Sequence, residues 1–376
     1  MADNVNYFEN HSYEPGHKAY PSAVRVSDGA IAPPQVSSHP QESGDASEQL
    51  TLNLIWQMDD NYLLEREWIV SLFPQFEINS ITDQAHDVVV DNAIVVSFGT
   101  DMNNISMYDY LQRFKSQGFK VGVIHLGDEW FTSSLDFYDL AEFVFRAYYR
   151  REAFQYPHVY FLPLGCKRGF HEVIEPKPMG DRPYTWSFAG AIRGKISRRK
   201  MLTEARKIPG GIAYIGEDES RAQELNFEGY GALMSNTVFA LSPGGNRSLE
   251  TFRIYEAIEA GAIPIVEDIN RLNILKGIIK EVIKPREFIK HRVWSRKYWR
   301  SNFRRLFAPS YWTLVYGTDF PCPRCSNWKK LPDMIQSINP VVKAKEIQIF
   351  WRTYQIGLQQ RIRLVTLSTF FPDAEP

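Results

Sequence analysis

Two successive alternations of apolar strands with helical segments predict an α/β protein made of two doubly wound parallel halves. Three observations carry that expectation. Short apolar runs (AIVVSFG, KVGVIH, VYFLPLG) alternate with helically spaced segments up to about residue 175. A stretch with three prolines and one glycine, PKPMGDRP (176–183), then interrupts the pattern as a linker would. A second alternation starts immediately after it, with YTWSFAGA.

Taken in order, residues 1–48 are rich in Pro, Ser, His and Gly and show no periodicity, so a disordered N-terminal tail is expected there. LNLIWQM reads as a strand and 62–73 as a helix. AIVVSFG (93–99) reads as a buried strand, 107–114 as a helix and 121–124 as a strand, with 125–130 as its exit loop. Helical spacing predicts a helix over 135–149, and VYFLPLG (159–165) a strand. Past the linker come a strand (YTWSFAGA), a helix (197–205), a strand (GIAYIGE) and a helix (223–234). A last helix is expected over 344–364. The expected domains are thus 1–48 (tail), 49–180, 181–340, and 341–376 as a closing helix and tail.

Composition narrows the function classes. The 376 residues are 44% hydrophobic with a net charge of −1, which argues against a general nucleic-acid binder. No apolar run reaches the ~20 residues of a membrane span, and no signal-peptide core is present, so a soluble, cytoplasmic protein is expected. Three cysteines cannot pair evenly. Cys322 and Cys325 have zinc-knuckle spacing but no second pair, and no metal is implied. The basic, aromatic stretch 290–305 is expected to pack as an amphipathic helix, with peripheral contact to an anionic membrane or acceptor as the alternative.

The second half turns on FALSPGGNRSLETFRIYEAIEAGAIPIVED (239–268): strand, glycine turn at Pro243-Gly244-Gly245, helix, stop at Gly261, strand. Ser248 is the expected N-cap and Glu250 a first-turn acid. Glu267 and Asp268 fall at the carboxyl end of the last strand, the end that lines the ligand crevice of an open parallel sheet. Arg253 and Glu256 share a helix face that is not the apolar one. An arginine there can grip a diphosphate, and a carboxylate one turn on can accept both hydroxyls of a ribose. A plain surface ion pair is the alternative. A basic loop with Gly190, Arg193, Gly194, Lys195, Arg198 and Arg199 lies where the first strand of this half meets its helix, as a phosphate cradle or a solvated turn. In the first half, His125, Asp128 and Glu129 follow a buried strand. His125 alone suits a hydrogen-bonded structural role, whereas the two carboxylates are candidates for a catalytic base.

The 239–268 stretch resembles the donor-binding signature of exostosin-type glycosyltransferases, through Pro243, Gly245, Arg253, Glu256, Ala257, Ala260, Gly261, Ile263 and Pro264 in register. The Thr251-Phe252-Arg253 form is most similar to the ribitol xylosyltransferase branch. The resemblance implies a GT-B architecture, two Rossmann-like domains facing across a cleft, with the donor in the second. It implies Glu256 on the donor ribose and Arg253 on the diphosphate, with the loop of Gly190, Arg193, Lys195 and Arg198 nearby. Animal members are generally type II membrane proteins; this sequence shows no such anchor. The expected activity is inverting, metal-independent transfer of a sugar, xylose first, from a UDP-sugar to a glycan or polyol hydroxyl. The paired glutamates eight apart of retaining GT-B enzymes are absent, since Ile258 stands where a partner of Glu250 would be. Asp128 is the first candidate for the base and Glu129 the second. A non-catalytic nucleotide-sugar or glycan binder and a GT-B nucleotide-sugar epimerase are the alternatives.

Overall fold

The computed structural model describes residues 50–58, 64–98, 106–192, 195–216, 225–269 and 310–374. The expectations for the 1–48 tail, for Arg193 and Gly194, and for a membrane or acceptor contact through 290–305 lie outside the described residues. Leu50–Pro376 is one compact unit and holds two parallel sheets.

The first sheet has six strands in the order β2-β1-β3-β4-β5-β6. They are β1 (Thr51–Trp56), β2 (Glu77–Thr82), β3 (Ala93–Ser97), β4 (Val121–His125), β5 (Phe143–Arg146) and β6 (Val159–Phe161). Every pairing is parallel. The central strands β3, β4 and β5 are buried throughout, which explains their unbroken apolar runs. Helix α1 (Arg66–Ser71) follows β1. Helix α2 (Met107–Ser116) is capped by the Ser106 side chain and buries Met107, Tyr110, Leu111 and Phe114. The helix expected over 135–149 does not form. A 3₁₀ turn (Asp136–Leu140) and β5 occupy that segment instead. Its aromatic and β-branched core, Phe143-Val144-Phe145, is fully buried between β4 and β6, and sheet pairing overrides the helical spacing. Strand β2 was not expected: it is a polar edge strand, mostly exposed, and carries no apolar signal.

The second sheet has five strands in the order β11-β10-β9-β7-β8, again all parallel. They are β7 (Tyr184–Ala191), β8 (Gly211–Gly216), β9 (Thr237–Ser242), β10 (Ile263–Glu267) and β11 (Arg324–Cys325). A short α3 (Phe170–Val173) precedes this sheet. Its helices are α4 (Ile196–Ala205), α5 (Phe227–Ser235) and α6 (Phe252–Glu259), followed by α7 (Tyr311–Tyr316) and α8 (Leu331–Ser337). The two-sheet α/β plan expected from the alternation is therefore the one adopted. Cys322 and Cys325, the zinc-spaced pair, are buried in and beside β11 as reduced thiols.

Helix α9 (Pro340–Phe370) runs along both halves. Near its middle, Trp351 donates to Glu259 in the second half and stacks on Trp68 in the first, with ring centroids 5.7 Å apart. Near its end, Phe370 packs on Phe143 and the Thr369 carbonyl accepts from Lys120. One continuous apolar cluster runs from Leu52 in the first sheet and Trp68 on α1 to Ile263 and Val266 in the second sheet.

Candidate active site

The carboxyl ends of β7, β9 and β10 meet around the Pro243–Gly245 turn. Glu267 accepts from the Gly244 N–H at 3.0 Å and also from the Ser197 hydroxyl at the start of α4. Buried Arg198 donates to the carbonyls of Gly244 (3.0 Å) and Ala191 (2.7 Å), so it clamps the two loops together. Lys195 donates to Asn246 Oδ1 at 2.6 Å and to the Gly245 carbonyl at 3.3 Å. The basic residues expected to face a donor phosphate thus also hold the turn that would receive it.

Helix α6 starts later than its sequence suggests. Thr251 is at the N-cap, and Ser248 accepts from the Glu250 N–H in the loop before it. Arg253 and Glu256 lie on α6 as expected, but Glu256 is not on an exposed face: it is 2% exposed. Its Oε2 accepts from the Tyr230 hydroxyl of α5 at 2.7 Å, and its Oε1 has no partner among the described residues. Burial raises its pKa above the ordinary carboxylate range, while the charges of Lys167 and Arg253 oppose the rise. Arg253 directs Nε and Nη2 at the single carbonyl of Ala189 (3.2 and 2.9 Å) and lies over the Phe188 ring, leaving buried Nη1 without a partner among the described residues. Gly190 permits this approach. Its φ is +151°, and a Cβ there would lie 2.8 Å from Arg253 Nη2.

The carboxyl end of β4 is built differently. His125 belongs to the strand itself and is fully buried. Burial, reinforced by the Arg146 charge, lowers its pKa to about 3, so the ring is neutral. Asp128 is fully engaged. Oδ1 accepts from the Thr132 and Ser133 N–H groups (2.7 and 3.0 Å), and Oδ2 from Arg146 (2.6 Å) and Arg150 (3.4 Å). Burial alone would raise its pKa, but Arg146, the Ser133 N–H and the remaining partners hold it below the usual value. Asp128 is buried and ion-paired with Arg146 and Arg150, so an acceptor hydroxyl would have to break that pair to reach it, which argues against Asp128 as the base. Glu129, by contrast, is only partly buried and reaches across to the second sheet's turn. It accepts from the Asn246 N–H and, at 2.9 Å, from Asn246 Nδ2. Arg247 lies over the Trp130 ring at 6.0 Å, so the β4 and β9 exit loops face one another.

Glu250 was expected only as a first-turn acid. It is 1% exposed and accepts from the Leu164 N–H (3.2 Å) on the first-half side, and from the Tyr311 (3.0 Å) and Tyr255 hydroxyls on the other. Burial raises its pKa to about 7 despite those donors. Asn246, Tyr230 and Glu267 also join the site without a sequence signal of their own, beyond the position of Glu267 at a strand end.

Residues 140–268 match the family model of the Exostosin GT47 domain, a segment that contains Arg253, Glu256, the Pro243–Gly245 turn and the loop after β7. No curated protein matches the chain. Among solved structures, an α1,3-fucosyltransferase is similar over 60% of this chain and 71% of its own, at 13% identity and a TM-score of 0.36. An α1,3-fucosyltransferase with GDP is similar over the same shares, at 12% identity and a TM-score of 0.34. The part of the chain that carries Arg253 and Glu256 is thus similar to an exostosin-type glycosyltransferase domain.

Proposed function

We propose that the protein is an inverting glycosyltransferase that moves a sugar from a nucleoside diphosphate sugar to a glycan or polyol hydroxyl. The observation that carries the proposal is the pair of unmet buried groups on one helix, Arg253 Nη1 and Glu256 Oε1. Buried polar atoms are rarely left without partners, and each costs about 1–3 kcal/mol unless a ligand supplies the missing bond. A diphosphate oxygen completes Arg253, and a ribose hydroxyl completes Glu256. Gly190 lets Arg253 close on β7, and the Pro243–Gly245 turn follows the end of β9. Arg253 and Lys195 supply positive charge for the leaving diphosphate, so in this proposal the chemistry requires no divalent ion. UDP as the nucleotide and xylose as the sugar are supported by the Thr251-Phe252-Arg253 resemblance.

Inversion needs a base on the face of the sugar opposite the diphosphate. Glu129 takes that role here: it reaches the turn of the second half from the first sheet. Deprotonation by a placed carboxylate supplies ~10²–10⁴-fold. Asp128 positions the loop through Arg146. The test is a thermal-shift panel of UDP, GDP and their sugars, followed by donor hydrolysis with wild type and Glu129→Gln. A shift with UDP, and turnover that Glu129→Gln lowers by at least ~10²-fold with UDP affinity unchanged, is expected. A shift without turnover would leave a binding module, and donor conversion without acceptor or hydrolysis an epimerase.

A further inference from the structure

Cys166 lies in the loop that leaves β6, His171 follows in α3, and Glu259 is the last residue of α6. The fold brings these together: the cysteine sulfur, an imidazole nitrogen and a carboxylate oxygen all lie within 4.8 Å of one another. We propose that Cys166, His171 and Glu259 form a transition-metal site suited to zinc, with a fourth position open to water.

The ligand set supports that class. A thiolate with an imidazole and a carboxylate favours a borderline-soft ion such as zinc or cobalt over calcium or magnesium. At ligand bonds of about 2.0–2.3 Å, tetrahedral ligand atoms stand roughly 3.3–3.8 Å apart. The cluster therefore has to contract by only about an ångström. His171 is exposed and sits on a four-residue helix, so its ring can turn inward and give the ion a path from solvent. Glu259 is already oriented. Its Oε1 accepts from Trp351 Nε1 at 2.6 Å and from Gln355 Nε2 at 3.2 Å, bonds of the kind that fix a ligating carboxylate. On binding, the thiol loses its proton to solvent, and thiolate plus carboxylate balance the dication. The ion would tie the exit of the first sheet to the far end of the helix that carries Arg253 and Glu256. Cys166 lies close enough to Glu256 for their charges to interact, so the ion would border the proposed donor site while taking no part in the transfer itself.

The experiment titrates the full-length protein, freed of metal, with cobalt and then zinc. One equivalent of cobalt should produce a sulfur-to-cobalt charge-transfer band that zinc abolishes, and saturating zinc should raise Tm by about 5 °C. Cys166→Ser should lose the band and Cys322→Ser should keep it. His171→Ala, at an exposed position that leaves the fold intact, should weaken cobalt binding at least ~10-fold. If Cys166→Ser does not fold, His171→Ala decides alone. Absence of a stoichiometric band, a band that persists in folded Cys166→Ser, or unchanged affinity in His171→Ala would overturn the site.

Discussion

The carboxyl ends of the two sheets both carry an arginine and a carboxylate, and they use them in opposite ways. At the first, Asp128 and Arg146 are buried against each other, and each of their polar atoms has a partner. At the second, Glu256 is buried and Arg253 half-buried, yet each keeps one buried polar atom without a partner among the described residues. A closed pair holds a loop in place. A pair with unmet atoms at a strand's carboxyl end can instead take a ligand.

The largest test of the contrast removes the closed pair. Asp128→Asn leaves Arg146 buried without its counter-charge and should destabilise the protein by about 3–5 kcal/mol, read from urea unfolding, with UDP affinity preserved in the folded fraction. If the variant is as stable as wild type and only turnover falls, Asp128 is the base after all and the contrast fails.

Glu250 sharpens the comparison, because it has several donors and is still disfavoured as an anion. Its folded pKa is about 7 against an ordinary 4.5, and that of buried Glu65 is likewise raised to about 7 by burial. Between those values the native state keeps protons that the unfolded chain has lost. Stability should therefore be greatest near pH 4.5, fall as pH rises to about 7, and level off above it, by up to about 3 kcal/mol for Glu250. Glu250→Gln, which has no charge to bury, should flatten that slope. Thermal unfolding across pH 4.5–8 measures it, and an unchanged slope would remove Glu250 from the account.

On the open pair, Glu256→Gln should keep the fold and cost on the order of 2–3 kcal/mol of UDP binding by isothermal titration, since an amide accepts from a ribose less well than a carboxylate. Affinity within twofold of wild type would mean that Glu256 is not the ribose ligand. The smallest effect belongs to Gly190→Ala. The added methyl must displace Arg253 and sit at a positive φ, and UDP affinity should fall roughly fivefold to tenfold, about 1 kcal/mol. An unaltered affinity would show that Arg253 does not need its place over Phe188.

Much of this was legible before the structure, for identifiable reasons. The strands β3 and β4 are buried throughout and β9 nearly so, and they read as apolar runs; the Arg253–Glu256 helix kept its register. Strand β2 escaped because a polar edge has no burial to record, and β5 because aromatic and β-branched residues at mixed spacing suit either period. The sites failed on depth rather than position. Nothing local marks Glu256 as buried, since its cover is Tyr230, 26 residues away. The partner that occupies Asp128, Arg146, is a charge inside the apolar run FVFRAYY, and that oddity was the available signal. The nearness of Cys166 to His171 was also readable, as a five-residue spacing, but Glu259 joins them only through tertiary packing.

Helix α9 has a consequence for how the protein is made. Its bond from Gln359 to the Ser71 carbonyl joins positions 288 residues apart. The ribosome therefore delivers the first sheet long before the helix that shields Trp68, Phe76 and Phe143. For that interval a nascent chain exposes an aromatic face of the kind that chaperones hold. A premature stop before residue 340 would make the exposure permanent, and such a fragment is expected to aggregate even though it contains every residue of the proposed donor site.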